Sequence, residues 1–292
     1  MKNNIFSNFK YKLEFILVYL IHLSLNYLPC AFASTLGGLL FKIIGPFTKT
    51  HKVVKKNLFK ILPNEKSSII NKLAKESWVN AGKTFFELLI LPKIINDSKI
   101  NFEGTEYLNL IKKNNEKVIF IGIHQSNWEI LLPSIDTLGL PVGGIYRHIN
   151  NPYINKLILD IRNKSILTKK SFYTPKGKKS AKDIIEGIKK DISIVLLVDQ
   201  RDSAGELVNF FDYPAKTQIG FIKIARKHNL KIIPVENIRN DKDIFTLKFY
   251  PQIGNFEKNL SDTEIMKQIH NIIEQWIKKY PSNYFLQHNR FN

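Results

Sequence analysis

The chain has 292 residues, 44% of them apolar, enough for one large domain or two small ones around a substantial core. Its 44 Lys+Arg against 25 Asp+Glu give a formal charge of +19, which favours anionic partners: phosphate groups, anionic lipid, nucleic acid or an acidic protein. The single cysteine, Cys30, excludes an internal disulfide framework and a cysteine-based zinc site. The chain is also rich in Lys, Ile and Asn, so the charge by itself names no partner.

The first predicted element is apolar. Residues 13–33, LEFILVYLIHLSLNYLPCAFA, make a run of about 21 residues, roughly 30 Å as a helix and close to the hydrocarbon thickness of a bilayer. Glu14, His22, Asn26 and Pro29 interrupt it, and a second patch, LGGLLFKIIGPF (36–47), follows. Lysines flank both ends, Lys2, Lys10 and Lys12 before and Lys49, Lys52, Lys55 and Lys56 after. Three readings stand: a cleaved signal peptide with small residues near Ala33, a buried amphipathic hairpin, or a membrane anchor or deeply inserted interfacial helix. The anchor is the expectation, with residues 1–47 as a single N-terminal membrane segment and 48–292 as a separate domain. The larger basic surplus of the second part argues that it stays cytoplasmic.

Residues 64–91 carry helical spacing through Ile69, Ile70, Leu73, Trp78, Ala81 and Phe85. Beyond them, short apolar runs at Val118–Ile123, Val142–Tyr146, Ile192–Val198 and Lys231–Val235 alternate with helix candidates at 127–138, 152–163, 178–190 and 217–229. Continuous apolar strands separated by helices predict an α/β fold: a mainly parallel sheet, buried between layers of helices. Ligands of such sheets collect at the carboxyl ends of the strands. Three successive ends read His124, Arg147 and Asp199.

In IFIGIHQSNWEIL (119–131) the apolar run stops at His124, and Glu129 follows five residues later. On one continuous helix that spacing is about 500° of rotation, so the two would not share a face. A strand end, a turn and a new helix remove the problem: Ser126 or Asn127 caps the helix and Glu129 falls in its first turn. A carboxylate on one imidazole nitrogen fixes the tautomer and leaves the other free to accept a proton. This is a general base with an orienter, suited to deprotonating a substrate hydroxyl. Spacing alone leaves a second reading open, a satisfied strand-end histidine followed by a glutamate that serves the helix dipole.

Other templates fail. There is no G-x-S-x-G nucleophile elbow, no H-E-x-x-H zinc motif and no G-x-G-x-x-G after a strand. PKGKKS (175–180) ends like a phosphate-binding loop, but Phe172 stands where its first glycine belongs. No pattern of an RNA- or DNA-binding module accompanies the charge, so a non-catalytic membrane- or nucleic-acid-binding protein is the weaker alternative.

The strand leading into H-x4-E resembles the bacterial lipid A biosynthesis acyltransferases, the lauroyl/myristoyl transferase group. Related glycerolipid acyltransferases usually carry Asp where this chain has Glu129. The resemblance continues through Tyr146, Arg147, Asn151, Pro152 and Arg162 in GIYRHINNPYINKLILDIRNK (144–164). It runs on through Asp199, Gly205, Glu206, Val208, Phe210, Phe211, Ala215, Thr217, Gly220, Ala225 and Pro234 in the block 195–235, and ends with His288 and Arg290. Leu286 stands where Trp is usual and Asn209 where Pro is usual, both packing-level departures.

The resemblance implies a glycerolipid-acyltransferase-like fold and, over residues 48–292, an acyltransferase domain. The activity it implies is transfer of a fatty acyl chain from acyl carrier protein to a hydroxyl of a lipid A precursor of the Kdo-lipid IVA type. The setting would be the cytoplasmic face of the bacterial inner membrane, with the N-terminal segment as anchor. His124 would take the proton, Glu129 would orient it, and the hydroxyl would attack the thioester directly with no metal and no cofactor. Arg147 and Arg162 suit the acceptor's phosphates, Arg162 or backbone N–H groups after His124 suit the oxyanion, and Asp199 suits positioning of Arg or His side chains. Gln125, Asn127, Glu206 and Thr217 are supporting candidates. The basic clusters Lys169–Lys170 and Lys176–Lys179 read either as solvated faces or as a surface for the acidic carrier protein or anionic headgroups. Phe210, Phe211 and Trp128 read as core. The same dyad would also serve a lysophospholipid or another membrane lipid headgroup.

Overall fold

A computed structural model describes residues 2–97, 100–240, 242–253 and 260–291. The chain opens with two helices, α1 (Lys2–Asn26) and α2 (Cys30–Ile44). They are separate because Pro29 stands at the start of α2 with φ −56° and ψ 143° and has no N–H for α1 to use. The expected apolar run 13–33 is therefore split, and among the described residues the one stretch long and apolar enough to cross a membrane is Cys30–Phe47. Large side chains point outward from both helices, among them Leu13, Leu17 and Leu20 of α1 and Leu36, Leu39 and Ile43 of α2.

Helices α3 (Thr50–Ile61), α4 (Ser67–Leu89) and α5 (Leu91–Asp97) follow. On α4, the expected helix of 64–91, Ile70, Ala74, Trp78 and Ala81 are buried. Helix α2 crosses α4 at Gly37 and Gly82, where a Cβ on either glycine would overlap the other's carbonyl oxygen. Only glycines allow the two backbones to come so close.

The rest of the chain runs β1 (Ile100–Glu103), α6 (Glu106–Lys113), β2 (Val118–Gly122), α7 (Leu131–Thr137), β3 (Val142–Tyr146), α8 (Pro152–Lys164), β4 (Phe172–Pro175), α9 (Lys178–Lys189) and β5 (Ser193–Leu197). It ends with β6 (Arg201–Phe210), β7 (Tyr213–Thr217), α10 (Gly220–Lys227), β8 (Lys231–Arg239), β9 (Phe245–Phe249) and α11 (Asp262–Lys279). Seven strands form one sheet in the order β1-β9-β8-β2-β5-β3-β4, parallel except between β8 and β9. β6 and β7 form a separate antiparallel hairpin. Helix α10 begins at Gly220 rather than 217 because β7 uses residues 213–217.

The four strands expected from the sequence, β2, β3, β5 and β8, are the contiguous centre of the sheet. Successive side chains go to opposite faces. Ile119, Ile121, Ile194 and Ile232 join α9, α10 and α11 in one cluster, while Val118, Phe120, Val195 and Ile233 join α5 to α8 in the other. Each such burial stabilises by about 1.5–3 kcal/mol against exposure. The site is thereby carried where the buried central strands end.

Candidate active site

β2 ends at Gly122, and Ile123 carries its direction one residue further into the core. After His124 the chain reverses at Ser126, whose φ of 52° lies in the left-handed region that a non-glycine residue occupies only when its surroundings enforce it. The enforcement is explicit. The Ser126 N–H donates to Asn283 O at 2.8 Å, its carbonyl accepts from Thr84 Oγ1 at 2.7 Å, and the Phe285 N–H donates to His124 O at 2.8 Å. Asn127 Oδ1 then accepts from the Glu129 N–H at 3.0 Å and opens a 3₁₀ turn at Trp128–Ile130 that continues into α7. The expected helix 127–138 thus starts with Asn127 as its cap and Glu129 in its first turn.

Asp199 lies two residues past β5, as His124 lies two past β2, and the register Gly122↔Leu197 brings the two ends side by side. Asp199 Oδ1 accepts from the His124 backbone N–H at 3.1 Å and from its ring Nδ1 at 2.8 Å. Tyr284 is buried close to Asp199, and burial, then that carboxylate, push its phenol well above the ordinary range. Burial pushes the Asp199 carboxyl up, but the His124 ring and its two hydrogen bonds outweigh burial and hold it below the usual carboxylate range. An ionised carboxylate only accepts, so Nδ1 carries the hydrogen and Nε2 is the lone-pair nitrogen of the neutral ring. Gln200 Nε2 sits 3.2 Å from it. Trp128 and Phe285 flank the imidazole, with ring centroids 5.2 and 6.3 Å from it.

Glu129 does not orient His124. Both of its oxygens are held by the Arg162 fork, Nε to Oε2 at 2.8 Å and Nη2 to Oε1 at 2.7 Å. Burial works against the Arg162 charge, yet the Glu129 carboxylate more than compensates and raises the guanidinium above its ordinary range. The difference from the expectation is one of topology. Local spacing offered Glu129 to the imidazole, whereas the pairing of β2 with β5 delivers Asp199 there first. Arg162, from α8, is instead the partner that ties that helix to the turn.

His124 opens on a cavity of about 410 Å³, within the range of small-molecule sites. Its buried lining is apolar: Ile119 and Ile194 from the sheet, Ile184 from α9 and Phe221 from α10. Its exposed rim carries Arg147, Lys176 and Arg201, with Asp202 beside them ion-paired to Lys176 at 3.3 Å. Of the supporting candidates, Gln125 and Asn127 are fully buried in the turn. Glu206 and Thr217 face each other across the β6–β7 hairpin, and neither lines the cavity. Thr217 Oγ1 accepts from Arg290 Nη2 at 2.7 Å. Phe210 and Phe211 are core, as expected.

Three residues of the site carry no local signal as Asp199's companions. Gln200 simply follows it. Tyr284 reaches it from the far end of the chain, through the bridge that pairs Tyr284 with Gln125. His288 Nε2 accepts from the Arg201 N–H at 3.0 Å, and burial, then the neighbouring charges of His124, Arg290 and Arg147, depress its imidazole below the ordinary range, against the pull of Asp199.

No curated protein matches the sequence. The family model for the bacterial lipid A biosynthesis acyltransferase matches residues 3–292. Because that match spans essentially the whole chain, the protein belongs to the bacterial lipid A biosynthesis acyltransferase family.

Proposed function

We propose that the protein, by family an acyltransferase of lipid A synthesis, takes its acyl chain from acyl carrier protein. The acceptor is a hydroxyl of a Kdo-lipid IVA-type precursor, at the cytoplasmic face of the inner membrane. One observation carries this reading: His124, fixed through Nδ1 by Asp199, lines an apolar cavity whose rim carries Arg147 and Arg201. An acyl chain fits the apolar part, and the acceptor's phosphates fit Arg147 and Arg201 at the rim.

In the reaction, Nε2 takes the proton of the acceptor hydroxyl as its oxygen attacks the thioester carbonyl. Asp199 stabilises the imidazolium that forms, as a buried carboxylate on Nδ1 does in hydrolytic triads. The tetrahedral intermediate then expels the thiolate, which takes the proton back from Nε2. The products are an ester and a free thiol, with no covalent acyl-enzyme. Glu129 and Arg162 act one step removed, as the clamp between the turn and α8. Residues 1–47 serve as the membrane-facing unit and 48–292 as the transferase. The apolar faces of α1 and α2 suit the bilayer, and the flanking lysines suit anionic headgroups.

The test supplies the full-length protein with acyl carrier protein thioester and, in separate reactions, a lipid A precursor and a lysophospholipid, with mass spectrometry of the products. We expect one added acyl group on the lipid A precursor. Acylation of the lysophospholipid alone overturns the acceptor assignment while leaving the chemistry in place.

A further inference from the structure

Outside the cavity, a set of buried polar contacts converges on Glu87, near the C-terminal end of α4, which is 1% exposed. Arg239, at the end of β8, donates to both of its oxygens at 2.6 Å. Asn127 of the catalytic turn donates from Nδ2 to Oε2 at 2.8 Å, and Ser34 of α2 donates from Oγ to Oε1 at 2.5 Å. One carboxylate therefore joins the sheet, the turn that follows His124 and the membrane-facing hairpin.

The spacing on α4 extends the pattern. Asn80, Thr84 and Glu87 stand at i, i+4 and i+7, on one face of the helix. Asn80 Nδ2 donates to Ser282 O at 2.9 Å and Thr84 Oγ1 to Ser126 O at 2.7 Å. All three hold segments that bracket His124. Nearby, α4 lies in backbone contact with α2 at Gly82 and Gly37. A buried ion pair is no better for stability than apolar side chains of the same volume. What it adds is direction, because each acceptor lobe of Glu87 has an assigned donor.

We propose that Glu87 is a positioning residue for the catalytic turn, and that Ser34 makes this positioning depend on how α2 is seated. With its outer face against lipid and Ser34 on Glu87, α2 would couple membrane engagement to the placement of Asn127 and hence of Glu129 and His124. The inference rests on the acyl-transfer reading for its kinetic arm but not for its structural one.

The experiment compares full-length wild type, Ser34→Ala and Thr35→Ala in phospholipid vesicles. Thr35 is exposed and hydrogen-bonds only back to Ala31 of its own helix. Rates are measured with acyl carrier protein thioester and lipid A precursor, and backbone hydrogen exchange is followed in parallel. For Ser34→Ala, kcat should fall about tenfold with both KM values within about twofold, since a contact to a charged group is lost and geometry, not binding, is disturbed. Amides of residues 124–130 should exchange faster while those of 231–233 stay unchanged, and Thr35→Ala should match wild type. Unchanged exchange at 124–130 in Ser34→Ala overturns the proposal whatever the rates, as does an equal loss in Thr35→Ala. A wild-type protein inert in this assay would instead overturn the functional reading, and the exchange measurement would still decide the coupling.

Discussion

Asp199 Oδ1 lies 2.8 Å from His124 Nδ1, although the two residues are 75 positions apart in the chain. The contact follows from the pairing of β2 with β5, and it makes Asp199 the residue that sets the imidazole tautomer.

Replacing Asp199 by Asn removes the charge and offers a donor where an acceptor is needed, so the ring turns or adopts the other tautomer. Activity of Asp199→Asn should fall about 10²–10⁴-fold, mainly in kcat. Glu129→Gln should not reproduce that loss, because Glu129 faces Arg162. Equal losses in steady-state kinetics of the two variants would restore Glu129 to the imidazole.

The same aspartate predicts a pH dependence of stability. Its carboxyl is held lower in the folded protein than the value of about 3.9 expected in the unfolded chain. A depressed carboxyl contributes stability that is complete above the unfolded value and is lost as pH falls through the folded one. Urea melts should therefore separate wild type from Asp199→Asn at pH 7 and bring them closer together at pH 3. A constant gap would contradict the assignment.

The Glu129–Arg162 pair is largely buried, with side chains 11% and 12% exposed. Removing one partner should cost about 3–5 kcal/mol of stability, because the other is left buried and charged. Arg162→Lys should not rescue it, since an ammonium cannot reproduce the two-pronged contact. The double variant Glu129→Met/Arg162→Met should recover most of the loss in the same denaturation measurement, and failure to recover would mean the pair is not a closed unit.

Ala181 lines the cavity from α9. Ala181→Phe puts a ring into the space assigned to the acyl chain, so the preferred donor should shorten. Competing thioesters of different length, followed by mass spectrometry, would show this. An unchanged preference would move the chain out of the cavity.

Leu39 and Ile43 are exposed and one helical turn apart on α2. Charging both, as Leu39→Glu/Ile43→Glu, should leave the melting temperature near wild type and weaken sedimentation with anionic vesicles severalfold. Wild-type sedimentation would remove α2 from the membrane surface.

Legibility in the sequence followed burial. β2, β3, β5 and β8 were readable because central parallel strands are covered on both faces and run continuously apolar. β1, at the sheet's edge, alternates half-buried and exposed residues, β9 beside it alternates buried and half-buried ones, and β6 is mostly exposed; none leaves such a run. His124, Asp199 and Arg162 were findable because strand ends and the resemblance pointed to them. Which carboxylate meets the imidazole was not, since that depends on strand neighbours rather than on spacing. Tyr284 and Glu87 were equally hidden: each reaches the site through tertiary contacts with segments distant in the chain. Pro29 was visible, and its consequence, the splitting of the apolar run, is a local effect that the run's hydropathy masked.

His124 is the proposed base for direct transfer. Its most direct test is the rate of acyl transfer to a lipid A precursor by purified His124→Ala against wild type, at equal folded concentration. We expect a fall of about 10²–10⁴-fold with KM values little changed; a rate within tenfold of wild type would mean that another group takes the proton.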